Sequence, residues 1–173
     1  LDVRREKRLI VGGTCMSFAI FLDVDGVLNS ATTCERTPDY HVGIDDLRVE
    51  VLAEAIKKYG PADIVLTSDW KGLRPEEDDY TYLISKLAKY RLELAGKTTD
   101  HYNNRGEGVQ HYLESHPEIK EYVVLDDNTF DFQDYPHIWE RLIRTNGIER
   151  AEFASETPAI EAILFMDYIK EVL

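Results

Sequence analysis

Short apolar runs alternate with stretches of helical periodicity along most of this chain. Phe18-Ala19-Ile20-Phe21-Leu22 is continuous and rich in aromatic and branched side chains, the pattern of a strand buried on both faces. A polar loop over residues 30–43 contains Pro38 and shows no period. Apolar residues at 44, 47, 51, 52, 55 and 56 then mark one face of a helix over 44–59, which Gly60-Pro61 stops. Ala62-Asp63-Ile64-Val65-Leu66-Thr67-Ser68 predicts a second buried strand. The run from Arg74-Pro75 to about Lys89 predicts a helix with Tyr82, Leu83, Ile84 and Leu87 turned inward. Residues 91–96 predict a short third strand. Residues 105–113 open a helix that ends by His116-Pro117. Residues 121–125 form the next apolar strand, 137–145 an edge strand, and 158–172 a terminal helix capped by Ser155 or Thr157, with Ile160, Ile163, Leu164 and Ile169 as its apolar residues. Such βα alternation is the signature of an α/β fold.

Composition narrows this little. A length of 173 residues suits one domain able to bury roughly 70% of its extended-chain surface. With 43% hydrophobic and 31% charged residues, the composition is that of an ordinary globular protein. No apolar run approaches the length of a membrane span. Cys15 and Cys34 form no metal-binding spacing, and two thiols in a chain of this size point to a reducing compartment, so a cytoplasmic location is the expectation.

Charge is more selective. The net charge of −13 argues against a general nucleic-acid-binding surface, which needs clustered Lys and Arg. The compact basic run Arg4-Arg5-Glu6-Lys7-Arg8 precedes the first strand. Met16 directly precedes that strand, so residues 1–15 read as an N-terminal extension of expression-vector or upstream-translated origin, and 16–173 as one domain. Those fifteen residues hold four basic and two acidic side chains, so the remainder carries −15.

Polar residues cluster where the apolar runs end. Asp23-Val24-Asp25-Gly26 follows the first strand, Thr67-Ser68 ends the second, and Asp126-Asp127-Asn128 ends that over 121–125. In a parallel α/β sheet the crevice beyond the carboxyl ends of the strands is where ligands bind. Two carboxylates delivered there repel, and a divalent cation with oxygen ligands is the natural compensation. A turn or a calcium loop is the competing reading of Asp-x-Asp-Gly. An EF-hand, however, needs further oxygen ligands between two helices, whereas Val24, Val27 and Leu28 fill these positions and a strand precedes. The hydroxyls of Thr67 and Ser68 could equally bond nearby backbone. Asp45 and Asp46 read as helix-start residues, the acids at 76–79 as a solvated helix start, and His111 and His116 as structural.

The run Phe21-Leu22-Asp23-Val24-Asp25-Gly26-Val27-Leu28 resembles the first motif of the haloacid dehalogenase-like (HAD) superfamily. The strand ending at Ser68 is similar to the second motif, with Ser68 the better match and Thr67 the next. Arg105 at a helix start is similar to the basic third motif, with Lys97 as runner-up, and Asp126-Asp127 resembles the acidic fourth. All four come in the family order between Phe18 and about Thr145. The resemblance implies a doubly wound, Rossmann-like, mostly parallel sheet of about five strands, with helices on both faces. The gaps between motifs leave no room for a large cap domain.

The resemblance also implies a chemistry: a magnesium-dependent phosphatase that hydrolyses a phosphomonoester through an aspartyl-phosphate. Asp23 would be the nucleophile and Asp25 the general acid and base. Ser68, with Thr67, and Arg105 would hold the phosphoryl oxygens. Asp23, Asp126, Asp127 and Asp25, through its backbone carbonyl, would hold Mg2+. An open site implies a substrate ranging from a small metabolite to a phosphate on a polynucleotide or protein, with no membrane partner. Thr67-Ser68-Asp69-Trp70 and Arg105-Gly106-Glu107 also look like the small HAD domains of RNA-repair proteins, a likeness in tension with the acidic charge. The alternative is a HAD-like module that recognises a phosphate or nucleic-acid end with weak or no catalysis.

Overall fold

The computed structural model describes residues 10–11, 14–15, 17–100, 104–145 and 151–153. Strands β1 (Ile10–Val11) and β2 (Thr14–Cys15) pair antiparallel as a separate two-stranded sheet. The main sheet begins with β3 (Ser17–Leu22), which leads through a long loop to α1 (Asp46–Tyr59). Then follow β4 (Ala62–Leu66), α2 (Asp78–Lys89), β5 (Leu94–Lys97), α3 (Arg105–Ser115) and β6 (Ile119–Asp126). Last come the single turn α4 (Pro136–Trp139), β7 (Leu142–Thr145) and β8 (Ala151–Phe153).

The main sheet has the order β5-β4-β3-β6-β7-β8, parallel throughout except that β8 joins β7 antiparallel. From β3 the chain winds outward through β4 and β5, then returns to the other side of β3 with β6. The order therefore reverses between β3 and β6, and the crevice outside their carboxyl ends is the topological switch point. The sequence expectation of about five parallel strands holds, with β8 added as an antiparallel edge.

Alternation along β3 explains why the sheet carries helices on both faces. Phe18, Ile20 and Leu22 join Leu52 and Ala55 of α1 and Leu83 and Leu87 of α2 in one core. Ala19 and Phe21 join Val109 of α3, Ile138 of α4 and Phe132 in the other. Phe21 packs edge-on to Tyr112 at 5.6 Å and Tyr122 at 5.8 Å. Continuous apolar sequence is needed here because both faces of β3 are buried.

Four sequence expectations are corrected by the structure. Residues 137–145 are not one edge strand: Pro136 opens the helical turn α4, and only Leu142–Thr145 is extended, flanked by β6 and β8. The third strand lies at Leu94–Lys97, starting three residues and ending one residue later than expected. The α2 helix begins at Asp78, after a turn, instead of at Arg74. The acids at its start are not all solvated, since Asp79 is buried and accepts hydrogen bonds from Thr37 Oγ1 at 2.9 Å and Asp39 N at 3.1 Å. The expected helix over 158–172 lies outside the described residues. Asp45 does cap α1, its side chain accepting from Leu47 N. Among the described residues no helix is long and apolar enough to cross a membrane.

Candidate active site

The sheet's own ladder sets the site. The N–H of Asp23 donates to Leu125 O at 2.9 Å, and that of Thr67 donates to Leu22 O at 2.9 Å. These bonds hold the ends of β3, β4 and β6 at one level, so Asp23, Thr67-Ser68 and Asp126 emerge together. Asp23, Ser68 and Asp126 are all buried. Carboxylate oxygens of Asp23, Asp126 and Asp127 lie within 4.8 Å of one another.

Gly26 is what permits the close approach of Asp127. Its φ of +76° is in the left-handed region, and a Cβ there would meet Asp127 Oδ2 at 2.3 Å. The hydroxyl of Thr145, at the end of β7, donates to Gly26 O at 3.0 Å and fixes this turn from the far side.

Arg105 reaches into the cluster from the first residue of α3. Its Nη1 lies 2.7 Å from Asp126 Oδ2 and 3.0 Å from Asp23 Oδ2, and its Nη2 lies 3.4 Å from Asp69 Oδ1. The helix start is anchored by Asp131, whose two carboxylate oxygens accept from Gly106 N at 2.7 Å and Glu107 N at 3.1 Å. The guanidinium also lies 4.2 Å from the centre of the Phe130 ring, a cation–π contact. Lys97, the other basic candidate, is exposed and donates to the carbonyl of Lys71 at 2.7 Å. The structure brings Arg105, and not Lys97, to the acids.

Electrostatics follow from this crowding. Burial raises the Asp23 carboxyl above its ordinary value, against the pull of the Arg105 guanidinium and the Ser68 hydroxyl. Burial, with the Asp23 charge beside it, pushes Asp126 up to about 7. Burial also raises Asp127. The charge of Arg105 is reinforced by Asp23 and Asp126, which outweigh its own desolvation. Three carboxylates thus face one guanidinium, an excess of negative charge that an oxygen-preferring divalent cation would balance. The donor set fits such an ion.

Asp25 stands slightly apart and is exposed. Its Oδ1 accepts from Asn29 Nδ2 at 2.8 Å, and its Oδ2 accepts from Trp70 Nε1 at 3.0 Å. Asn29 Oδ1 in turn accepts from Gly26 N at 2.9 Å, closing the turn on itself. Trp70 sits in a 3-10 turn, Asp69–Gly72, whose cap is Ser68. At the site, buried Thr67 Oγ1 and Arg105 Nε have no hydrogen-bond partner among the described residues. Such orphans are rare in folded chains. Both belong to residues that the sequence singles out for phosphoryl contact.

Over residues 19–150 the sequence matches the family described as the HAD domain in Swiss Army Knife RNA repair proteins. The chain belongs to this family. The match spans the strands and helices that build the acidic cluster, from Ala19 in β3 to beyond the end of β7. No curated protein and no solved structure matches this HAD domain.

Trp70 reads in the sequence either as core or as a wall of the site, and the structure places it at the site, its indole donating to Asp25; Asn29, Asp69 and Asp131 were not legible as site residues. Asn29 lies four residues from Asp25 and Trp70 two from Ser68, and that nearness is the signal each offers. Asp69 next to Ser68 offers as little. Asp131, in contrast, acts on a helix 25 residues earlier, and nothing local marks it.

Proposed function

We propose that this HAD domain is a magnesium-dependent phosphomonoesterase that works through an aspartyl-phosphate. The observation that carries the reading is the convergence of Asp23, Asp126, Asp127 and Arg105 at the switch point, with Asp25 held separately by Trp70 and Asn29. Asp23, Asp126 and Asp127 would hold Mg2+, with the Asp25 carbonyl as a fourth donor. The ion supplies charge neutralisation of the phosphoryl oxygens when bound.

The residues divide the chemistry between them. An Asp23 carboxylate oxygen attacks phosphorus, the bond from phosphorus to the ester oxygen breaks, and Asp25 gives its proton to the departing alkoxide. Asp25, now ionised, takes a proton from water, whose oxygen attacks phosphorus. Inorganic phosphate leaves and the Asp23 carboxylate is regenerated. Arg105, Ser68 and the unpartnered hydroxyl of Thr67 hold the equatorial oxygens, the positioning role that phosphoryl transfer requires. The family is that of HAD domains in RNA repair proteins, and a phosphorylated polynucleotide end is one substrate this reading admits.

Phosphate recognition without turnover is the second reading, and one observation favours it. Arg105 Nη1 is shared between Asp23 and Asp126, so the guanidinium competes with a cation for the same oxygens. The two readings separate in an assay of phosphate release from an aryl phosphate with and without Mg2+. Mg2+-dependent release, lost in Asp23→Asn, supports the enzyme. Tight phosphate binding without release supports the module.

A further inference from the structure

The loop over residues 30–43 is a built element, although the sequence shows it only as a polar stretch. Its second half closes in an isolated antiparallel bridge, Arg36 to Val42. It is clamped to α2 by the buried carboxylate of Asp79, which bonds Thr37 Oγ1, Asp39 N and His41 Nδ1 at 2.9, 3.1 and 3.0 Å. Glu35 adds contacts to the Tyr82 hydroxyl at 2.7 Å and to Lys86 Nζ at 2.6 Å. At the tip stands Tyr40, 86% exposed and with a φ of +67°. A bulky residue in the left-handed region is a genuine outlier, and such strain persists only where the surroundings enforce it. The Asp79 clamp is what enforces it. The backbone that carries this exposed aromatic ring is thereby fixed in a strained conformation, with no folding benefit from burial of the ring.

Between this loop and the 3-10 turn lies a cavity of about 610 Å3, within the range of small-molecule sites. Tyr40, Val42, Trp70 and Leu73 provide ring and apolar surface, Arg36 and His41 add polar donors among the carboxylates of Asp69 and Asp79, and Asp25 lies at the border with the acidic cluster. Asp23, Asp126, Asp127 and Arg105 do not line it. Position gives the cavity its role. In phosphoryl transfer the attacking and leaving oxygens are roughly in line. With Asp23 attacking, the ester oxygen departs on the side of Asp25, and the alcohol behind that oxygen extends into this cavity.

We infer that the cavity is the leaving-group subsite, and that it takes an alcohol bearing a planar ring, a nucleoside, stacked on Tyr40. The inference rests on the phosphatase reading for its direction, although ring binding is measurable without turnover. Stacking is tolerant of ring identity, because every base presents a π-face. It also needs no basic surface, which suits a chain of net charge −13.

The test uses the full chain. Turnover of adenosine monophosphate is compared with that of glycerol phosphate in wild type, Tyr40→Ala and Tyr40→Phe. Tyr40→Ala is expected to raise KM for the nucleotide relative to that for glycerol phosphate by roughly five- to hundredfold, the range for loss of one base-on-aromatic stack. Tyr40→Phe is expected to restore the wild-type ratio. Binding is measured separately by calorimetry in Asp23→Asn, with tryptophan fluorescence in a Trp139→Phe background reporting ring entry beside Trp70 and with a short 3′-phosphorylated oligoribonucleotide as a second ligand. If nothing is turned over but the nucleotide binds in a Tyr40-dependent way, the phosphatase reading fails and the ring site stands. If neither the nucleotide nor the oligonucleotide binds tighter than glycerol phosphate, or Tyr40→Ala weakens binding of neither, the ring site is overturned. Tyr40-dependent binding of either nucleic-acid ligand supports it, and the tighter of the two identifies the source.

Discussion

Replacing Arg105 by methionine removes the only cation that touches both buried acids among the described residues, while keeping much of the side-chain volume. Arg105 is 5% exposed and contacts Asp126 at 2.7 Å and Asp23 at 3.0 Å. Removing one partner of a buried pair costs roughly 3–5 kcal/mol, because the other charge stays buried and unpaired. For a chain of this size each kcal/mol moves Tm by roughly 2–4 °C, so the loss is about 6–20 °C. The loss must also depend on pH. Asp126 titrates at about 7 in the folded chain, against an ordinary value of 3.8. Between those values the folded state holds a proton that the unfolded chain has released, so stability falls as pH rises through the window. Without the guanidinium both carboxyls rise further and the window widens. Arg105→Met is therefore expected to melt close to wild type at about pH 5 and to show its full deficit at about pH 8, where added Mg2+ recovers part of it. Circular-dichroism melts at the two pH values, with and without Mg2+, measure this. A deficit equal at both pH values, or larger at the acidic one, would refute the electrostatic account.

Three further outcomes are expected. Asp25→Asn slows alkyl phosphates more than aryl phosphates by roughly 10²-fold, the scale of general-acid catalysis, whereas Asp127→Asn weakens Mg2+ dependence equally for all substrates; a leaving-group series at limiting and saturating Mg2+ separates them. Trp70→Phe keeps the ring but loses the donor to Asp25 Oδ2, so it should mimic Asp25→Asn at roughly five- to tenfold, the worth of one hydrogen bond; an unchanged leaving-group profile would remove Trp70 as a positioning residue. Gly26→Ala places a Cβ at a φ of +76° and 2.3 Å from Asp127 Oδ2, so it should cost about 1–2 kcal/mol for the left-handed backbone alone. It should also blunt the Tm rise on adding Mg2+, and a full Mg2+ response would show that Asp127 is not a ligand.

The three central strands were legible because both faces of β3, β4 and β6 are buried, which forces continuous apolar runs. Their terminal Asp and hydroxyl residues stood out against those runs. The site's supports were not legible. Asp79 is the clearest case: in sequence it is one of four consecutive acids at a helix start, and only the fold brings Thr37, Asp39 and His41 onto it from about 40 residues away. Phe130 and Asp131 likewise act on α3 across a chain distance that no period encodes. The region 137–145 misled because His137-Ile138-Trp139 is apolar enough for a strand. Pro136, which fixes φ for a helical first turn, was the stronger local signal. Arg105 against Lys97 could not be separated by sequence, since both precede or open α3, and only distance decides between them.

Every step of the proposed chemistry depends on Asp23 carrying the phosphoryl group. Single turnover of an aryl phosphate, quenched in acid and followed by peptide mass spectrometry, tests it most directly. A Mg2+-dependent, hydroxylamine-labile phosphate is expected on the peptide containing Asp23 and absent from Asp23→Asn. Release of the aryl alcohol with no phosphoryl group on that peptide at any time point, or persistent turnover in Asp23→Asn, would contradict it.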